Sequence, residues 1–152
     1  MTRVWDDYLG NSPGLYARKV LKECGLREPP ICEQTVADYL GLQVKEVAQE
    51  DIKRFAGIKK ILKVVCAWLT TFPNGKSYIF VDSETMHERK RMSIFHECGH
   101  NVIPWHNGHD HLCCENDIDP TSRKIKIMER EAFDCGSEFL MPKEGFIEDA
   151  LS

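Results

Sequence analysis

The chain has 152 residues, 42% of them hydrophobic and 29% charged, with a formal net charge of −4. That length suffices for one domain with a real buried core, and the composition excludes a disordered or fibrous chain. A mild acidic balance without a basic stripe argues against a nucleic-acid-binding surface, and no stretch approaches the ~18 apolar residues of a membrane span.

In chain order, the opening "MTRVWDDYLGNSPG" lacks an apolar run, so no signal peptide is expected. "SPGLYARKVLKECGL" predicts a first helix with Leu15, Val20 and Leu21 facing inward and Gly25 as its stop. After Pro29-Pro30, "CEQTVADYLG" predicts a short second helix ending at Gly41. "LQVKEV" alternates apolar and polar residues and reads as a strand. "IKKILKVVCAWLTTFPNGKSYIFVD" predicts two strands around a turn at Asn74-Gly75. "TMHE" offers a capping box, Thr85 as N-cap and Glu88 at the third helical position, opening a helix that Pro104 must end. Residues 105–118 read as a polar loop. Asp119-Pro120 then opens a last helix that runs to about Leu140 and stops at Pro142.

The order α-α-β-β-β-α-α predicts an α+β fold, one domain over 1–152 with its core at about 13–142. Seven cysteines (Cys24, Cys32, Cys66, Cys98, Cys113, Cys114, Cys135) form an odd, irregularly spaced set. Such a set predicts free thiols in a reducing cytoplasm rather than a disulfide framework.

The chemistry is concentrated in "SIFHECGHNVIPWH", residues 93–106. On a helix, histidines four apart share one face, as metal ligands must, and Glu97 lies beside them. A catalytic zinc needs a third protein ligand and one open position. On the last helix, with Ile125 at zero, Met128, Ala132, Cys135, Gly136 and Phe139 fall within an apolar arc from about 280° to 20°. Glu129, at about 40°, borders that arc, whereas Glu131, at about 240°, points to the polar side with Asp134 and Glu138. A carboxylate on an apolar face needs a cation. His96, His100 and Glu129 are therefore the expected ligands of one Zn2+ per chain, with Glu97 as the base that moves a proton from water to the leaving amine.

Rival assignments remain open. Glu129 could pair with Arg91 or Arg123. Cys98 reads as a small packing residue, and "HERKR" (87–91) as a solvated helix face. His106, His109, His111, Cys113 and Cys114 could hold a second metal, or one of the histidines could stabilise an oxyanion.

With these motifs in hand, the chain resembles the ImmA/IrrE family of zinc metallopeptidases. "RMSIFHECGH" (91–100) is similar to the family's lead into its HExxH helix, "EREAFDCGSEFLMP" (129–142) to its second ligand helix, and "PPICEQTVADYLGLQV" (29–44) to its N-terminal unit. Phe133, Cys135 and Met92 depart from the family pattern. The resemblance implies a small zincin-like domain, a three-stranded sheet packed on the HExxH helix and a C-terminal ligand-bearing helix. It assigns His96, His100 and Glu129 to the metal and Glu97 to catalysis, a gluzincin-type endopeptidase. It also implies a cytoplasmic anti-repressor that cleaves a DNA-binding helix-turn-helix repressor of phage or mobile-element type. Neither direct nucleic-acid binding nor membrane attachment is expected. The substrate is expected to pair with an edge strand supplied by the hairpin at 61–82. The rival classes are a zinc-bearing module that sequesters a repressor without cutting it, and a purely structural zinc domain.

Overall fold

The computed structural model describes residues 10–55, 65–106, 111–114 and 123–143. Helix α1 (Pro13–Cys24) starts with proline in its first turn, where the missing amide hydrogen costs nothing. It ends at Gly25, whose φ of 71° lets its amide reach back to the last carbonyls. Then come α2 (Glu33–Tyr39), β1 (Leu42–Val47), α3 (Gln49–Phe55), β2 (Val65–Thr71) and β3 (Ser77–Asp82). After these run α4 (His87–Val102), a 3-10 turn (Pro104–His106), β4 (His111–Cys114) and α5 (Arg123–Leu140). No helix among the described residues is long and apolar enough to cross a membrane.

The α+β class and the three expected strands are present, and a fourth strand joins them. The sheet order is β1-β3-β2-β4, with β1 parallel to β3 and the other pairs antiparallel. Asn74-Gly75 turns the β2–β3 hairpin, Gly75 taking the φ of 85° that a β-carbon would resist. Strand β4 falls within the stretch expected to be a loop. Its dense histidines and cysteines read as a ligand cluster, and its strand state depends on pairing with β2. This also moves the sheet edges. Among the described strands β2 and β3 are both interior, so β1 and β4, not the hairpin, form the edges.

Two further details differ from expectation. Helix α3 carries no cap signal and buries one large apolar side chain, Ile52, among its described residues. It packs on β2 and β3, and tertiary contact, not propensity, makes it helical. The N-cap of α4 is Met86 without a side-chain bond, not Thr85. Asp82 takes the Thr85 amide with its carbonyl and the Glu84 amide with its Oδ1, so Thr85 is spent in the turn before the helix. The expected Asp119-Pro120 start of the last helix lies outside the described residues.

One core joins α1, α2, β2, β3, α4 and α5 through Tyr16, Val20, Val36, Leu69, Ile79, Phe95 and Phe139. Arg91 ties the N-terminal unit to α4: its Nε donates to Glu33 at 3.0 Å and its Nη2 to the Ile31 carbonyl at 2.6 Å. The C-terminal end of the 87–91 stretch is thus a clamp and not a solvated face. Lys90 adds an ion pair with Glu46 of β1.

The closest contact is between α4 and α5. A β-carbon at Gly99 would lie 2.8 Å from the Ala132 carbonyl oxygen, and one at Gly136 would lie 3.0 Å from the His96 nitrogen. Phe95 and Phe139 stack beside this crossing, their centroids 5.7 Å apart. Both neighbours of the glycines are backbone and cannot swing aside. Gly99→Ala should therefore destabilise the fold by about 1–3 kcal/mol through overpacking. That outweighs the gain of up to about 1 kcal/mol from replacing a mid-helix glycine. Denaturant unfolding will measure the balance, and a more stable variant would contradict this packing.

Candidate metal centre

His96, Glu97 and His100 share the buried stretch of α4. The four-residue spacing sets the two imidazoles on one face, edge to face with ring centroids 5.0 Å apart. Helix α5 crosses them at Gly99 and Gly136 and so presents Glu129, one turn before Ala132, to both rings. Glu129 Oε2 lies 2.8 Å from His96 Nε2, and its Oε1 lies 3.1 Å from His100 Nε2. Ligand atoms of the three residues all fall within 4.8 Å of one another, and no other such group occurs among the described residues. Burial pushes the Glu129 carboxyl up, but hydrogen bonds to His100 and His96 and their charge outweigh it and hold its pKa at about 2. It is an anion throughout the neutral range.

Glu97 behaves in the opposite way. It is fully buried, and neither carboxyl oxygen has a hydrogen-bond partner among the described residues. Burial first, then the charge of Glu129, then Cys66, raise its pKa well above the ordinary carboxyl value. An orphaned buried carboxyl is costly unless a proton or a cation relieves it. Together with two imidazoles and a carboxylate already converged, it fits a divalent metal ion with a reactive position beside it.

The rival assignments resolve as follows. Arg91 is committed to Glu33 and Ile31, not to Glu129. Cys98 is buried where α4 packs, as a small apolar filler. Glu131 and Glu138 are not on a solvated side. Glu138 is buried and accepts from Arg18 at 3.0 Å. Glu131 is half-buried and accepts from Trp105 Nε1 at 3.0 Å and 3.1 Å.

His106 is the residue whose role sequence reasoning missed. The 3-10 turn after Pro104 folds it back against α4, fully buried, with its Nδ1 3.0 Å from His100 Nδ1 and its Nε2 3.1 Å from Glu131 Oε1. Both of its ring nitrogens are engaged, one by His100 and one by Glu131. Burial lowers its pKa, and the hydrogen bond and charge of Glu131 offset this only in part. The clue was the proline directly before "WH", which forces a tight return just beyond the second histidine. His109 lies outside the described residues. For His111, Cys113 and Cys114 the structure describes strand pairing alone.

A family model described as the IrrE N-terminal-like domain, a peptidase family, matches residues 37–152. No curated protein and no solved structure matches the chain.

Metal analysis of carboxylate variants will separate the two glutamates. Glu129→Gln should lose the ion, whereas Glu131→Gln should retain it with weakened affinity. Saturating metal at ~100 times its Kd should stabilise the wild type by about 2.7 kcal/mol in thermal unfolding and leave Glu129→Gln unmoved. Loss of metal from Glu131→Gln alone would reverse the assignment.

Proposed function

The chain belongs to the IrrE N-terminal-like domain family, and from that premise we propose that it is a zinc-dependent endopeptidase. His96, His100 and Glu129 hold the ion, and Glu97 is the general base. The observation that carries this reading is the Glu97 carboxyl, buried and unpartnered beside the triad. A structural site would be closed by a fourth protein ligand and would have no use for such a group. Two imidazoles and one carboxylate suit zinc, which when bound supplies Lewis acidity toward water and the scissile carbonyl.

The chain's own residues then do the following. Glu97 would take a proton from the attacking water on its carboxyl and deliver it to the departing amine, and its burial without a hydrogen-bond partner among the described residues favours holding that proton between the two transfers. Glu129, ionised in the neutral range, balances charge without competing for the proton. Among the described strands β4 is an edge and packs near α4, so its outer main-chain side suits an extended substrate segment.

The substrate we propose is a folded DNA-binding repressor of the helix-turn-helix type. A small domain with short connections has little material for a deep cleft, so affinity must come from docking a partner surface. The net charge of −4 suits a basic DNA-binding partner.

Zinc-loaded protein incubated with unfolded casein and with a repressor encoded beside it, each with and without chelator, tests both parts. Cleavage of the repressor alone, abolished by chelator, is expected. Rapid chelator-sensitive digestion of casein with the repressor intact would leave a general peptidase. Glu97→Gln should keep zinc and fold while lowering cleavage on the order of 100- to 10,000-fold. If the metal-replete variant still neutralises the repressor without cutting it, sequestration becomes the better account.

A further inference from the structure

We infer that His106 is a positioning residue: anchored by Glu131, it locks the His100 ring in the one tautomer whose Nε2 can bind a metal ion. The inference rests on the proposed zinc site and concerns how that site is held ready.

A neutral imidazole carries one N–H and one lone pair. His100 turns Nε2 toward Glu129 and Nδ1 toward His106, so ligation through Nε2 requires its proton on Nδ1. His106 meets that Nδ1 with its own Nδ1, at 3.0 Å. Two ring nitrogens at that distance need one proton between them, not two and not none. The far side of His106 decides which ring supplies it. There Nε2 faces Glu131 Oε1 at 3.1 Å, and an ionised carboxylate only accepts. Neutral His106 must therefore carry its proton on Nε2 and present a lone pair at Nδ1. His100 must then donate from Nδ1, and its Nε2 is left as a lone pair toward Glu129, a pairing of two acceptors that a cation bound between them satisfies. The reverse assignment puts two acceptors face to face at Glu131.

The anchor is itself fixed. Trp105 donates to both Glu131 oxygens, and its ring packs edge-on against Tyr16 of α1 with centroids 5.7 Å apart. The proton order thus runs from α1 and α5, through the 3-10 turn, to a metal ligand on α4. Carboxylate or carbonyl groups commonly orient a ligating histidine directly. Here a second histidine stands between the carboxylate and the ligand.

Competition with a chromophoric chelator will give the zinc affinity of each variant, and nitrogen NMR of histidine-labelled protein will give the tautomers. In the zinc-loaded wild type, His100 should be the Nδ1–H tautomer and His106 the Nε2–H tautomer. His106→Phe should weaken zinc binding roughly 10- to 100-fold, and His106→Asn, whose amide oxygen can take the place of Nδ1, should restore most of it. The opposite tautomer at His106, or wild-type affinity in a folded His106→Phe, would overturn the relay. If His106→Phe does not fold, the wild-type tautomers and the Asn variant still decide. Failure of the wild type to take up stoichiometric zinc would instead sink the underlying metal site.

Discussion

The rest of the structure depends on how closely α4 and α5 approach. Side-chain-free positions at Gly99 and Gly136 let the two backbones nearly touch. A ligand set of short reach follows from that. A glutamate carboxylate extends only a few ångströms from its helix, and Glu129 spans both histidines because Ala132 lies against Gly99. On the same helix Glu97 is fully buried, and neither of its carboxyl oxygens has a partner among the described residues. Close packing and the geometry of the ligand set are thus one constraint.

Much of this was legible in the chain. Helix α1 announces itself through a proline start and a glycine stop, α2 through Gly41, α4 and α5 through the prolines beyond their ends, and the hairpin through Asn74-Gly75. The histidine pair needed only a helix to become a site, and an otherwise apolar arc singled out Glu129. What remained illegible depends on tertiary contact. Strand β4 exists by pairing with β2, and α3 by covering the sheet. The helical wheel placed Glu131 on a polar side because it treats whatever lies outside the apolar arc as solvent. The 3-10 turn occupies that side instead, and Trp105 and His106 reach Glu131 there. A wheel knows one helix; the turn belongs to another part of the chain.

Two carboxyl groups in one small site are driven in opposite directions, and the cause is local. Glu129 faces two imidazoles, and their pull outweighs its burial. Glu97 accepts from nothing among the described residues, and the anion beside it adds to its desolvation. Such divergence divides labour between like groups, one kept as a charge and one able to carry a proton. It also accounts for the positions of the two residues. Glu97 adjoins His96 on α4, buried and without a partner among the described residues, whereas Glu129 comes from the opposing helix and faces both imidazoles. Exchanging their environments would leave a ligand that protonates and a base that does not. The order of residues along α4 and the crossing with α5 are therefore chemical requirements of the proposed reaction as much as features of the fold.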